Sequence, residues 1–250
     1  MPVQKIPKFV FIVPYRDREQ QQLFFARQML HVLEDETDAK IYYIHQCDAR
    51  NFNRGAMKNI GFLMIKAEYP NNYRNITLVF NDVDTMPYTK GFLNYETTVG
   101  NVKHFYGYTH TLGGIVSIKG SDFERIGGFP NYWGWGFEDN VLQQRVQSHG
   151  INIDRTTFYP VMDKNILQVG SGYTRTTKKD EYNIYKSNKS DTFNDIHELK
   201  YSINHANNFV NVTSFYTKYN ASASSNNITH DIRSSTISIS SRNPTMKMMF

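Results

Sequence analysis

Apolar residues gather in short blocks over the first third of the chain, and polar turns separate the blocks. Residues 8–13 (Lys8-Phe9-Val10-Phe11-Ile12-Val13) form a nearly continuous apolar run that stops at Pro14. That is the pattern of a strand buried on both faces. Residues 18–34 then place Leu23, Ala26, Leu30 and Leu33 at helical spacing, which predicts an amphipathic helix. A second strand is expected at 40–45. A second helix is expected at 53–67, with Met57, Ile60, Met64 and Ala67 on one face. The third apolar strand, 76–80, closes in Asn81-Asp82-Val83-Asp84. Strand, helix, strand, helix, strand predicts an α/β fold with a mostly parallel central sheet flanked by helices. Ligands of such sheets bind beyond the carboxyl ends of the strands.

From His104 onward the blocks shorten. A strand is expected at 114–119, a helix at 120–126, a glycine- and aromatic-rich loop at 127–137 and a helix at 138–148. Past 165 the chain turns polar. Residues 220–242 are rich in Ser, Asn and Thr, and the alternation Thr236-Ile237-Ser238-Ile239-Ser240 allows an edge strand.

Composition narrows the class. A chain of 250 residues with 40% hydrophobic and 20% charged residues can bury a full core and is not a disordered segment. Mean hydropathy is −0.55, and no apolar run nears the roughly 18 residues of a membrane span. The stretch 9–13 is also too short for a signal-peptide core. A lone cysteine, Cys47, excludes an internal disulfide. Together these suggest a soluble protein of the cytoplasm or another reducing intracellular compartment. Sequons at Asn75, Asn188, Asn211, Asn220 and Asn227 would matter only in a secretory lumen. Heavy use of Asn, Ile, Lys and Tyr fits an A+T-rich genome, viral or bacterial. The net charge of +5 suits nucleic acid, anionic membrane or phosphate-bearing small molecules. The basic residues are spread rather than clustered, which argues against nucleic acid.

Two segments carry candidate chemistry. In an extended Asp82-Val83-Asp84 the two carboxylates share one side, and hard oxygens at a strand end suit Mg²⁺ or Mn²⁺ beside a diphosphate. The same residues equally suit a polar strand terminus with turn-forming aspartates. In Trp133-Gly134-Trp135-Gly136-Phe137-Glu138-Asp139-Asn140, glycines flank a tryptophan and two acids open a helix. Acids in a first helical turn also simply favour the helix dipole. Both tryptophans of the chain fall in this loop, which suits a sugar platform better than a core.

The blocks Phe52-Asn53-Arg54, Asn59-Ile60-Gly61-Phe62, Phe80 to Asp84, Leu112-Gly113-Gly114 and Gly128 to Asp139 together resemble the β-1,4-galactosyltransferase family. Pro14-Tyr15-Arg16-Asp17-Arg18 resembles that family's Pro-Phe-Arg-Asn-Arg stretch. The blocks run in the family's order and cover roughly 9–162. The resemblance implies a glycosyltransferase A-type fold and inverting, metal-dependent transfer of galactose or N-acetylgalactosamine from a UDP-sugar to a glycan hydroxyl. It implies a donor site of Pro14, Arg16, Arg18, Phe52, Arg54, Asp82, Val83, Asp84, Gly114 and Trp135. It implies an acceptor site of Trp135, Asp139, Asn140 and Thr111. Asp139 would be the general base, with Glu138 orienting groups at the same centre, and Asp84 would bind Mn²⁺, with Mg²⁺ an alternative. Residues 1–219 would form the catalytic domain and 220–250 a tail.

The pattern breaks in four places. The family completes its metal site with Met-x-x-His, whereas Met162-Asp163-Lys164-Asn165 ends in asparagine; Met162 and Asn165 are the candidates, unless the segment is misaligned. Thr111-Leu112 replaces Tyr-Phe, which opens space near the donor's C2 substituent so that N-acetylgalactosamine could fit, with UDP-galactose and UDP-N-acetylglucosamine the other donors. Asn140 replaces an aspartate, which argues against the family's usual N-acetylglucosamine acceptor. Phe137 replaces a glycine. Residues 163–183 occupy the place of the family's lid, with Gly170 and Gly172 as pivots, or form an ordinary surface loop. The competing readings are a polypeptide- or chondroitin-type glycosyltransferase, and a UDP- or sugar-binding module without turnover.

Overall fold

The first apolar run becomes the central strand. The computed structural model describes residues 5–134, 136–170, 174–177, 191–219 and 228–231. Strand β1 (Phe9–Tyr15) is buried at every position. Val10 and Ile12 enter one core, while Phe9, Phe11 and Val13 enter another on the opposite face of the sheet. That alternation follows from the two-residue period of a strand, and each such side chain contributes about 1.5–3 kcal/mol by leaving water.

Helix α1 (Glu19–Val32) buries Gln21, Phe25, Met29 and Val32. This corrects the expected face: Leu23 is 48% and Leu30 76% exposed. Both registers have helical spacing, and Phe25 with Met29 fills more volume under the sheet. Strand β2 (Ala39–Gln46) follows, and then helix α2 (Arg54–Glu68), capped by the Asn53 side chain, which accepts from the Ala56 amide. Helix α2 is buried on nearly every side. It is pressed between the sheet and the 127–133 loop, so it lacks the single apolar stripe read from sequence.

Strands β3 (Thr77–Asn81), β4 (Thr85–Pro87), β5 (Asn101–Gly107) and β6 (Ile115–Lys119) precede the short helix α3 (Gly120–Arg125). Helix α4 (Glu138–Ser148) follows the aromatic loop. The remaining strands are β7 (Asn152–Asp154), β8 (Tyr159–Pro160), β9 (Ile166–Gln168), β10 (Thr174–Thr177), β11 (His197–Asn204), β12 (Phe209–Tyr216) and β13 (Ile228–Asp231). The nine-stranded sheet has the order β11-β12-β2-β1-β3-β6-β5-β7, with β8 also on β5. Parallel pairings outnumber antiparallel ones; β3–β6, β5–β6 and β11–β12 are antiparallel.

The hairpin β11–β12 extends the sheet beyond β2, to which β12 is parallel. Val210, Val212 and Phe215 are fully buried beneath it. Part of the segment read as tail is also structured, since β13 pairs with β10. The alternating stretch 236–240 lies outside the described residues. No helix among the described residues is long and apolar enough to cross a membrane.

Candidate active site

The carboxyl ends of β1, β2 and β3 open onto one cleft. At the end of β3 the Asn81 carboxamide donates to the carbonyls of Asp82 (2.8 Å) and Thr85 (2.7 Å), which folds the chain back into β4. Val83 turns into the core, while Asp82 and Asp84 are only partly buried. The Asp82 amide is held by the Gly114 carbonyl at 3.1 Å.

Helix α2 points two cations at this end of the sheet, one turn apart. Arg54 Nη1 donates to Asp82 Oδ1 at 2.6 Å, and its Nε lies 3.5 Å from Glu138 Oε1. Lys58 Nζ lies 2.9 Å from Asp139 Oδ1, with its side chain almost entirely buried. Glu138 and Asp139 open α4, where the helix dipole also favours them. Burial, and then the charge of Asp139, push the Glu138 carboxyl up; Arg54 and Lys58 pull against that. Burial alone would weaken the proton on Arg54, but Asp82, Glu138, Asp139 and Asp84 outweigh it and hold the guanidinium charged.

Two adjacent glycines let the pieces meet. A Cβ on Gly113 would sit 2.3 Å from Asp139 Oδ2, and one on Gly114 would sit 2.4 Å from the Tyr106 carbonyl. The Leu112 amide donates to the Asp139 carbonyl at 3.0 Å. Behind them His104 is wholly buried. Its Nε2 faces the carbonyls of Tyr106 (2.9 Å) and Gly113 (3.0 Å), and its Nδ1 accepts from Arg155 Nε at 3.0 Å. Burial, with Arg155 beside it, pushes His104 down to about 4.

Beside the cleft an open pocket of about 240 Å³ is lined by Arg16, Asp17, His45, Gln46, Cys47, Asp48 and Ala49. Arg16 donates to the Arg50 carbonyl and lies 5.3 Å over the Phe52 ring. His45 to Ala49 escaped the motif reading. The pointer to them was their place at the end of β2, where parallel-sheet ligands sit.

The expected site residues divide into groups. Arg16 and Phe52 sit together at the pocket, and Arg54, Asp82, Asp84, Glu138 and Asp139 form one charged cluster. Pro14 is buried within β1, and Arg18 precedes α1 with Nη1 on the Asp17 carbonyl at 3.0 Å. Thr111 is half-buried, while Leu112 faces the core, so only Thr111 can open space in the cleft. Asn140 donates to the His110 carbonyl at 3.3 Å. Trp135 lies outside the described residues.

Trp133 corrects the platform reading. It is buried, stacked on Phe215 at 5.3 Å, with Nε1 donating to the Tyr219 carbonyl at 2.8 Å. The hairpin that receives it was not read from sequence, so a core role had no visible partner.

The metal candidates need a correction too. The Val169 amide donates to the Asp84 carbonyl at 2.8 Å, whereas the Asn165 carbonyl receives the Tyr88 amide at 3.3 Å. Asn165 therefore lies roughly 13 Å along the β4–β9 ladder from Asp84. Its carboxamide is instead tied to Asp163 at 2.9 Å. Met162 donates its amide to the Tyr106 hydroxyl at 3.2 Å, and its side chain is 81% exposed. The side chain that the ladder brings toward this end is Gln168, which accepts from the same hydroxyl at 2.9 Å. In this structure neither Met162 nor Asn165 is beside Asp84. Within the segment expected as a lid, β9 pairs with β4 and β10 pairs with β13. Gly172 and 178–183 lie outside the described residues.

Among the described residues no three His, Cys, Asp or Glu side chains converge on a metal position. Asp84, whose Oδ1 accepts from Thr85 Oγ1 at 3.0 Å, is a carboxylate that suits a hard ion, because Mg²⁺-like ions take one or two carboxylates and complete their shell with phosphates and water. The cluster's four carboxylates also outnumber its two cations, an excess that favours a bound cation even with Glu138 pushed toward its neutral form.

Two family models cover adjoining parts of the chain. The N-terminal region of glycosyl transferase group 7 matches residues 3–95, and the N-terminal domain of galactosyltransferase matches 94–166. Mouse β-1,4-galactosyltransferase 4 is 32% identical over 160 residues, which cover 60% of this chain and 45% of that protein. The xylosylprotein 4-β-galactosyltransferase of Caenorhabditis elegans is 28% identical over 214 residues, 78% of this chain and 71% of that one. The chain thus spans about half the length of several curated relatives it matches. The catalytic domain of Drosophila β1,4-galactosyltransferase 7, solved with xylobiose, shares the fold at TM-score 0.68 and 22% identity, over 86% of this chain and 96% of that one. A mutant of the same enzyme, solved with manganese, UDP-Gal and xylobiose, gives 0.66 at 20% identity, over the same shares.

Proposed function

The chain belongs to the glycosyltransferase group 7 family, and from that premise we propose that it is an inverting, metal-dependent β-1,4-galactosyltransferase-like enzyme. It moves a hexose from a UDP-sugar to a glycan hydroxyl. One observation carries the reading: Asp139 is fixed through Oδ1 by a buried ammonium, while Oδ2 borders the Cβ-free edge of Gly113. A carboxylate so placed can take a proton from an acceptor hydroxyl entering the cleft.

The step is a single displacement. The acceptor oxygen bonds to the anomeric carbon as the bond to UDP breaks on the opposite face, the hydroxyl proton passes to Asp139, and UDP leaves with the electron pair. Arg16 and Phe52 hold the nucleotide side, where a guanidinium suits phosphate oxygens. Arg54 holds Asp82 and Glu138 in place, and Glu138 packs beside the base. Asp84 would hold the divalent ion, Mn²⁺ or Mg²⁺, which when bound supplies positive charge against the departing diphosphate.

UDP-galactose is the first donor to test, since the Drosophila relative was solved with it. The half-buried Thr111 favours UDP-N-acetylgalactosamine as a second donor, because a threonine leaves more room than an aromatic ring. The acceptor class is a glycan hydroxyl. A xylose terminus is the first to test, because the Drosophila relative was solved with xylobiose, and N-acetylglucosamine is the comparison that Asn140 argues against. The single cysteine supports a reducing, intracellular compartment.

The test measures UDP release from UDP-galactose and UDP-N-acetylgalactosamine with xyloside and N-acetylglucosaminide acceptors, in Mn²⁺, Mg²⁺ and chelator arms. Acceptor-dependent release that needs the ion and disappears in Asp139→Asn is expected. UDP binding without turnover in any arm would overturn the enzyme reading in favour of a binding module.

A further inference from the structure

Lys58 is a buried cation in a helix that also buries Met57, Ile60, Phe62, Met64 and Ile65. A lone ammonium costs several kcal/mol to take out of water. Replacing a buried ion pair by apolar groups is often neutral or stabilising, so stability is a poor reason to keep one. The ammonium here meets Asp139 Oδ1 at 2.9 Å and lies 4.5 Å from the Phe129 ring. The aromatic face walls one side of the ammonium and orients the stem.

The surroundings explain what the pair does. Asp139 is faced by Lys58 and Arg54 from α2, by Glu138 from its own helix and by backbone from the 112–114 turn. Asp82 and Asp84 also act on Arg54. Without Lys58, the nearest cation to Asp139 is an arginine already bonded to Asp82 and reaching toward Glu138. The Asp139 carboxylate would then turn toward that guanidinium or toward water, and Oδ2 would leave the edge of Gly113.

We infer that Lys58 is a positioning residue, whose ammonium fixes the Asp139 carboxylate so that Oδ2 faces the acceptor hydroxyl. The inference rests on Asp139 being the base, as proposed above. Lys58 is almost entirely buried and reaches the cleft through Asp139. Its loss therefore lowers kcat and leaves UDP affinity alone.

The experiment is a double-mutant cycle on the full chain, with Lys58→Met, Asp139→Asn and both together. Initial rates give kcat and KM, titration calorimetry with UDP and Mn²⁺ gives donor-site affinity, and thermal melts check folding. Methionine keeps the volume of the buried stem, and Lys58→Gln is the second variant should Lys58→Met fail to fold. The expected result is a loss of roughly 10- to 100-fold in kcat for Lys58→Met, the scale of a misplaced reacting group. UDP affinity stays within twofold, and Lys58→Met causes no further loss in the Asp139→Asn background. A kcat within twofold of wild type overturns the inference, and so does an equal fold-loss in both backgrounds, which marks a structural role. Wild-type turnover by Asp139→Asn alone would instead remove the premise, and that outcome is recognisable before the cycle is closed.

Discussion

Helix α2 serves two polar clusters that differ in how completely they are closed. Asn53 and Asn59 belong to the first. Asn59 Nδ2 donates to the Phe129 carbonyl (2.7 Å) and to Asn131 Oδ1 (2.9 Å), and its Oδ1 accepts from the Phe129 amide. Asn131 gives its amide and side chain to Asp191 at 2.8 Å each, and its carbonyl receives Asn53 Nδ2 at 2.9 Å. Arg145 completes this cluster on the carbonyls of Gly128 (2.6 Å) and Asp191. Arg54 and Lys58, next to those asparagines in sequence, serve the second. There the partners are carboxylates, the negative charge is in excess, and Glu138 is pushed up by burial. A closed amide network specifies one geometry for the 128–134 loop, whereas an open charged one has capacity left for ligand, metal and proton.

The largest expected effect separates the two clusters by what each loses. Asp139→Asn keeps the volume and removes the proton acceptor, so kcat falls by roughly 10²- to 10⁴-fold. UDP affinity stays near wild type, while the melting temperature falls because the buried Lys58 ammonium loses its anion. Asn131→Ala should cost stability and leave turnover. It strands Asp191 and Asn59 without a shared partner, and breaking such a buried network costs about 3 kcal/mol of stability. Urea unfolding measures that loss, while the folded protein keeps most of its turnover. A melt unchanged by Asn131→Ala would show that the network is dispensable.

The charged cluster was far more legible in the sequence than the closed one. Asp82, Asp84, Glu138 and Asp139 stand at the ends of periodic elements, where acids are conspicuous, although Arg54 was read as a donor-site residue rather than as their partner. Asn59, Asn131 and Asp191 look like ordinary polar residues in a chain rich in them. They become a network only when 59, 131 and 191 meet, and no local pattern encodes that contact. The same limit hid the role of Trp133, whose partner Phe215 lies on a hairpin expected only as polar chain. It also hid that Asn165 stands away from Asp84, since the register of β9 is fixed by pairing with β4 rather than by its own residues. The rotation of α1 is a different miss, because two faces with the same spacing were available.

Acid offers a third, smaller contrast. His104 supports the site side through the Gly113 carbonyl, and burial pushes it down to about 4, against 6.5 in an ordinary histidine. The unfolded chain therefore takes up the proton first as pH falls, so stability is full above about 6.5 and is lost on the way down to 4. The loss from this residue alone is about 2 kcal/mol by pH 5. Denaturant unfolding at pH 7 and pH 5 should show it, and His104→Gln should remove that part of the pH difference. An equal slope in both proteins would mean that His104 is charged or exposed in the native state.

The smallest effect concerns where strain is kept. The closed side meets its left-handed backbone demand with glycine, as at Gly128 with φ +71°. The site side places Phe137 at φ +70°, immediately before α4 and beside Glu138, where an L side chain crowds its own backbone. Phe137→Gly and Phe137→Ala both remove the ring, and only the first relieves the backbone. Glycine is ordinarily the less stable of the two by roughly 0.5–1 kcal/mol. Here the order should invert, with the glycine variant more stable than the alanine variant by about 1 kcal/mol. Paired urea melts decide it. If alanine proves the more stable, Phe137 carries no backbone strain, and the difference between the two sides reduces to charge.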